Sequence, residues 1–113
     1  MEVVVQAHHP DAQALRDEAT RRIRFATQRL ASFVVRVVVR LKDLNGPRGG
    51  VDKVCQVQLN TANGGVMVVS SRGVSWRAAL ELALARAARA LWRRFNERKT
   101  KVAVKQHVLP SKT

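Results

Sequence analysis

Apolar residues recur along the chain at two spacings, every second residue or every third to fourth, and these spacings predict its elements. The first segment, Glu2–Ala7, is short and rich in β-branched residues, with alternate side chains on one face, which predicts a strand. The turn sequence His8-His9-Pro10 ends this strand, and Asp11 is placed to cap the helix that follows.

The first helix is indicated by an apolar stripe whose members lie three or four residues apart. The stripe consists of Leu15, Ala19, Ile23, Ala26 and Leu30. Arginines occupy the opposite side and its flanks, at Arg16, Arg21, Arg22, Arg24 and Arg29. The sequence therefore predicts a helix with one buried face and one strongly basic face.

Three further strands are predicted after this helix. Phe33–Asp43 and Lys53–Thr61 alternate apolar and polar residues, so each presents one face to a core. The expected inward residues are Val35, Val37, Val39 and Leu41 in the first segment, and Cys55, Val57 and Leu59 in the second. Asn63-Gly64-Gly65 is a hairpin-turn sequence, and Val66–Ser71 is the returning strand.

A second, longer helix is predicted from a cap at Ser75 to about Lys99. Its buried stripe is expected to consist of Trp76, Leu80, Ala83, Leu84, Ala87, Leu91 and Phe95. Arginines at three- and four-residue spacing form a ridge along one flank, at Arg86, Arg89 and Arg93. After Lys99 the period is lost, so a domain of residues 1–99 is expected to end in a flexible basic tail, 100–113.

This order, β-α-β-β-β-α, predicts an α+β domain. The first strand reaches the second through a helical crossover, which favours parallel pairing, and the later strands follow as antiparallel hairpins. Each helix has one apolar stripe and the sheet has one apolar face. We therefore expect a four-stranded mixed sheet with both helices packed on one face.

The net charge of the chain indicates its class of partner more clearly than any single motif does. The 113 residues contain 21 Lys+Arg and only 8 Asp+Glu, which gives a net charge of +13. So large an excess in a short chain predicts a polyanionic partner. With both helices on one side of the sheet, their arginines would share one electropositive surface, and arginine suits nucleic acid because it binds phosphate bidentately.

Enzymatic chemistry is not indicated. Cys55, the one cysteine, falls on the buried face of its strand and is expected to be inert, which fits a reducing, cytoplasmic setting. The adjacent His8 and His9 suit a cap or turn better than a metal site, and Glu81 and Glu97 are expected to pair with neighbouring arginines. We therefore expect no catalytic residues, no metal, no cofactor, no small-molecule substrate and no signal peptide or membrane span.

The glycine-rich loop within residues 43–55 could at first suggest phosphate binding. A P-loop needs Gly-Lys-Ser/Thr between a strand and a helix, whereas here Lys53 follows Asp52 and a strand comes next. The loop is therefore expected to join two strands, with Arg48 near its tip as a candidate RNA contact. Two aromatic residues on the polar sides of the helices, Phe25 and Trp92, could stack on unpaired bases or pack on a helix flank.

Three segments together resemble the family of the ribosome hibernation-promoting factor and the ribosome-associated inhibitor A. They are ALRDEATRRI (Ala14–Ile23), NGPRGGVDKVC (Asn45–Cys55) and WRAALELALARAARAL (Trp76–Leu91). The resemblance covers about Glu2–Lys99, and Phe25 departs from it at a position where the family often has lysine. The tail is too short for the ribosome-pairing domain of the longer members, so the chain resembles the short form.

The resemblance implies a protein of the cytoplasm, monomeric when free, that binds 16S rRNA of the small ribosomal subunit. It would occupy the decoding channel, block mRNA and tRNA, and inhibit translation in stress or stationary phase. Basic positions of the family match Arg22, Arg86, Arg89 and Arg93. With Arg16, Arg21, Arg24, Arg48 and Trp92, they form the predicted RNA-binding set.

Two alternatives remain open. The order α-β-β-β-α from Asp11 onward also occurs in double-stranded-RNA-binding modules, which would not be specific to ribosomes. Such modules place lysines at the start of the last helix, where this chain has only Arg77 and then Glu81. The chain could instead bind a protein through the open face of its sheet, although that face is expected to be polar.

Overall fold

The computed structural model describes residues 1–30, 32–44 and 52–111, with side chains described as far as residue 97. The strands are β1 (Glu2–Ala7), β2 (Val34–Asp43), β3 (Lys53–Thr61) and β4 (Val66–Gly73). The helices are α1 (Pro10–Gln13), α2 (Arg16–Thr27) and α3 (Trp76–Ser111), and a 3₁₀ turn (Gln28–Leu30) follows α2.

The four strands form one mixed sheet in the order β1-β2-β3-β4. The β1 and β2 strands are parallel, whereas β2, β3 and β4 pair antiparallel. One row of the register crosses the whole sheet through Val5, Val39, Val57 and Val69. This confirms the predicted α+β fold and its parallel crossover.

Both long helices cover the same face of this sheet. The buried stripe of α2 includes Ala19 and Ile23, and that of α3 includes Leu80, Ala83 and Leu91, all packed in one core with the inward valines of the strands. Side chains of the opposite face alternate with these, as strand geometry requires. The sheet therefore has a covered face and an open face, as predicted.

Two predicted core positions are exposed. Val35 is 49% exposed, because a register irregularity between Val34 and Arg36 turns Val34 into the core instead. On α2, Ala26 is exposed and Thr27 takes the buried place four residues after Ile23. The Thr27 hydroxyl tolerates burial because it donates to the Ile23 carbonyl at 2.7 Å.

The first helical segment begins two residues earlier than expected. His9 is the cap, and its Nδ1 accepts from the Asp11 backbone N–H at 3.1 Å, whereas Asp11 lies within the first turn. Pro10 explains the shift, since proline favours the first helical position and so places the cap immediately before it. The expected cap at Asp11 was therefore wrong, while the expected cap or turn role of His9 is confirmed.

Two glycines permit the path of β4. Gly64 has a φ of +87° in the turn before it, which confirms the predicted hairpin. A Cβ on Gly73, at the end of β4, would lie 2.6 Å from the Ala79 backbone nitrogen. Only glycine therefore allows β4 to approach the start of α3, where Ser75 Oγ accepts from the Ala78 N–H at 3.1 Å and confirms the predicted cap.

Helix α3 extends to Ser111, beyond its predicted end at about Lys99. The division into a domain of residues 1–99 and a flexible tail of residues 100–113 stays a prediction. Within the part of the chain that the structure describes, no helix combines the length and apolarity that crossing a membrane would require.

Candidate nucleic-acid interface

Helices α2 and α3 lie side by side on the sheet and are joined by an ion-pair ladder. Arg77 of α3 pairs with Glu18 of α2, and Arg22 of α2 binds Glu81 of α3 with both terminal nitrogens. The Arg22 Nη2–Glu81 Oε2 distance is 2.8 Å, and Arg22 also lies 3.9 Å from Glu18. Both cross-helix pairs join residues 59 positions apart, so the helices run in the same direction in a constant register.

The ladder holds its four members charged at neutral pH. The Arg77 hydrogen bond lowers the pKa of Glu18, and the Arg22 hydrogen bond lowers the pKa of Glu81. The same contacts raise the pKa of Arg22 and of Arg77. The two positive and two negative charges of the ladder therefore cancel. The guanidinium of Arg22, a predicted RNA contact, is already bound by the Glu81 carboxylate of the protein itself.

Next to the ladder, an open groove of about 570 Å³ lies on the surface between the two helices. Its lining consists of Arg21, Arg22, Phe25, Ala26, Glu81, Leu84, Ala85 and Ala88. The alanines explain the groove, because side chains this small leave the space between adjacent helices unfilled. Phe25 is 75% exposed at its wall, which confirms that this ring points away from the core.

Of the predicted ridge of α3, Arg86 lies on the flank away from this groove. Arg86, Arg89 and Arg93 are all exposed, and Arg86 donates to the Ser70 carbonyl of β4 at 2.9 Å. Since β4 is the edge strand of the sheet, Arg86 marks the outer side of α3. The three arginines follow one another at three- and four-residue spacing along α3, with Arg86 opposite Arg22 and Arg89 closer to the groove, one turn after Ala85.

The arginines of α2 are also divided between two sides. Arg21 is exposed and lines the groove. Arg24 donates to the Met1 carbonyl at 3.3 Å, beside the other edge strand, β1. Arg16 is exposed in the first turn of α2. The helical layer is thus basic at both sheet edges and along the groove, rather than in one continuous patch between the helices.

Trp92, the aromatic member of the predicted set, is 36% exposed. Its ring meets Phe95 edge-on at 5.9 Å, and Phe95 in turn meets Phe33 at 5.6 Å. Trp92 thus has one side in the aromatic packing of the domain and one side in solvent. Its stacking on RNA bases stays a prediction.

The loop between β2 and β3 joins antiparallel strands, as expected, and Arg48 lies outside the described residues. At its base, Lys53 Nζ contacts Asp43 Oδ2 at 3.0 Å and Asp52 Oδ1 at 3.2 Å. The Asp43 hydrogen bond raises the pKa of Lys53, whose ammonium also lies 5.4 Å from the centre of the Trp76 ring. Lys53 therefore closes the loop rather than presenting its charge to a phosphate.

Two cations of the open sheet face, Arg36 and Arg40, are held by neighbouring side chains. Arg36 Nε lies 3.0 Å from Glu2 Oε1. Arg40 donates from Nε to Gln6 at 3.0 Å and from Nη1 to Gln56 and Gln58 at 3.3 Å. These contacts hold both arginines along the strands, so these two charges are less available to a partner than those of unpaired surface arginines.

The remaining sequence candidates give no reactive site. Cys55 is fully buried, and burial raises the pKa of its thiol to about 12, so its thiolate is suppressed at neutral pH. No group of three or more His, Cys, Asp and Glu side chains suited to a metal ion occurs among the described residues.

The sequence did not predict half of the ion-pair ladder between α2 and α3. Glu81 was expected to pair with a neighbouring arginine and pairs with Arg22, but the roles of Glu18 and Arg77 were not anticipated. The four-residue spacing of Glu18 and Arg22 on one helix was the available signal. The exposed Arg29 and Arg94 were likewise left out of the predicted set, although they add to the basic layer.

Comparison with known proteins identifies a family and a fold for this chain. The family described as "Sigma 54 modulation protein / S30EA ribosomal protein" matches residues 3–100. The crystal structure of the Thermus thermophilus Protein Y N-terminal domain is similar in fold, with a TM-score of 0.60 and 17% identity over 81% of this chain and 93% of that chain. No curated protein matches the sequence.

The solved structure, at that identity, supports the fold alone, whereas the family match spans both basic helices and the whole sheet. This is the ribosome hibernation family that the three sequence segments resemble, so the resemblance is confirmed. The chain belongs to the sigma 54 modulation protein / S30EA ribosomal protein family and is a protein of the ribosome hibernation type.

Proposed function

We propose that the chain binds 16S rRNA in the decoding channel of the small ribosomal subunit, as a cytoplasmic, non-enzymatic factor. Bound there, it blocks mRNA and tRNA and inhibits translation in stress or stationary phase. Family membership supports a ribosomal partner, and the net charge of +13 supports one made of nucleic acid.

The observation that carries this proposal is the excess of exposed arginine over exposed carboxylate on the helical layer. Among the described side chains of α2, the 3₁₀ turn and α3, nine arginines are exposed, namely Arg16, Arg21, Arg24, Arg29, Arg77, Arg86, Arg89, Arg93 and Arg94, of which Arg77 is held by the ladder. The exposed carboxylates of the same layer are Asp17, Glu81 and Glu97, of which Glu81 is held by the ladder. Rigid helices thus present several guanidinium groups at once, which suits the closely spaced phosphates of folded RNA.

Co-sedimentation with purified small subunits tests the proposal. We expect saturable binding that weakens when the subunits are first loaded with mRNA and tRNA, because the ligands would occupy the same channel. Duplex RNA without ribosomal sequence serves as the competitor that separates a general double-stranded-RNA module from a ribosome-specific factor. Undiminished binding to fully loaded subunits, or full competition by the duplex, would contradict the proposed site.

A further inference from the structure

We propose that the groove between α2 and α3 receives one unpaired base of the bound RNA, stacked on Phe25. The inference rests on the proposed function and names the element of RNA that this part of the surface takes. A base is the fitting occupant because the groove combines an exposed aromatic wall, an uncharged interior and a cationic rim.

The shape of the groove follows from the ladder and the alanines. The Arg22–Glu81 pair closes one end, and the constant register of the helices places Phe25 level with Leu84. Ala85 and Ala88 leave room opposite the Phe25 ring. A volume of about 570 Å³ lies within the range of roughly 300–1,000 Å³ that small-molecule sites occupy, so one nucleotide fits.

The charges are arranged as a base on its backbone requires. Inside the groove, Arg22 is neutralised by Glu81, so the interior offers a neutral base no net repulsion or attraction. At the rim, Arg21 is exposed, and Arg89 lies one helical turn after Ala85 on α3. The phosphates on either side of an inserted base would therefore meet guanidinium groups, while the base itself meets apolar carbon.

Other occupants match these features less well. A second copy of the chain brings a net charge of +13 toward a basic rim, which opposes self-association through the groove. An uncharged peptide would fill the apolar floor but leave the rim arginines without a counter-charge. Exposed aromatics next to arginines are the elements with which proteins stack unpaired bases.

The test compares hexa-adenylate RNA with an abasic oligomer that has the same ribose-phosphate backbone and the same charge. Stacking of one base contributes about 5- to 150-fold to affinity, so we expect the wild-type chain to prefer hexa-adenylate by about tenfold or more. Phe25→Ala should abolish the preference and Phe25→Trp should keep it. Ala85→Leu, which fills the groove, should also abolish it, and Arg21→Gln should weaken both oligomers by a similar factor.

Leu82→Ala is the matched control. Leu82 is an exposed apolar residue of α3, the helix that contains Ala85, but it lies outside the groove lining. This variant should leave the preference unchanged. Equal affinity of the wild-type chain for both oligomers, or a preference that survives Phe25→Ala, would overturn the inference. So would a wild-type dimer that Phe25→Ala dissociates. Small-subunit binding by the wild-type chain decides the proposed function separately, because it is measured without reference to either oligomer.

Discussion

Neutralising the ridge of α3 is the sharpest test of which face meets RNA. The change is the triple variant Arg86→Gln, Arg89→Gln, Arg93→Gln. All three side chains are exposed, and the buried stripe of the helix is untouched. The one bond lost from the free protein joins Arg86 to the Ser70 carbonyl, which water can replace. We therefore expect the free energy of unfolding to change by less than about 1 kcal/mol.

The expected loss of affinity follows from counterion release. If about six phosphates are neutralised, the log–log salt slope should be about −4 to −5, and each contact contributes roughly 0.7 to 0.9 of it. Removing three contacts should therefore bring the slope to about −2. At 0.15 M salt each contact is equivalent to roughly four- to fivefold in affinity, so the triple variant should bind about 10²-fold more weakly.

The assay is equilibrium binding to small subunits at several salt concentrations. The matched control removes three cations from the open face of the sheet, Arg36→Gln, Arg40→Gln and Lys42→Gln, so both variants have the same net charge. The control should lose less affinity, because two of its three cations, Arg36 and Arg40, are engaged with Glu2 and the glutamines of the strands. Equal losses would show that only total charge matters. A larger loss in the control would place the RNA on the open face.

Three further predictions concern the elements that hold the helical layer. Raising the pH from 9 to 12 should lower the free energy of unfolding of the wild type, relative to Cys55→Ala, by up to about 1.4 kcal/mol per pH unit. The reason is that the Cys55 thiol has a pKa of 9.0 in the unfolded chain and of about 12 in the folded one, so in this range the unfolded chain alone gains the thiolate. Acid should lower the thermal midpoint of the wild type more than that of Glu81→Gln below about pH 4.5, where the depressed folded pKa of Glu81 is titrated and its stabilisation is lost. Gly73→Ala should lower the thermal midpoint more than Gly64→Ala, because its Cβ would lie 2.6 Å from backbone that cannot move aside, whereas Gly64→Ala meets open space and adds only the strain of a φ of +87°. An alkaline slope unchanged by Cys55→Ala, an acid response unchanged by Glu81→Gln, or the opposite order of the glycines would refute the respective prediction.

The sequence predicted what depends on local periodicity. The bounds of β1 and β3 are confirmed at both ends, because each β-branched or alternating segment stops at a turn sequence, His8-His9-Pro10 after β1 and Asn63-Gly64-Gly65 after β3. The apolar stripe of α3 is confirmed as well, since a stripe of large residues has only one way to face the sheet. The side of the sheet that the helices cover followed from these two facts.

Features that depend on contacts between distant segments were not predictable in the same way. The irregularity that exposes Val35 arises from how β2 meets β3, which alternation within β2 does not encode. The ladder between α2 and α3 requires their relative register, and only packing sets it. For the same reason the sequence grouped Arg22 with Arg86, although the structure turns them to opposite sides of α3.

The arginines at the two sheet edges, Arg24 and Arg86, protect the free protein against self-association through its edge strands. Arg24 donates to the Met1 carbonyl beside β1, and Arg86 donates to the Ser70 carbonyl of β4, so each edge has a main-chain acceptor covered from the helical layer. An uncovered edge is a template on which another chain can add a strand, and β4 also exposes Val66 and Val68. A concentrated, RNA-free preparation of variants at Arg24 or Arg86 is therefore where fibrous or strand-paired aggregates would first form.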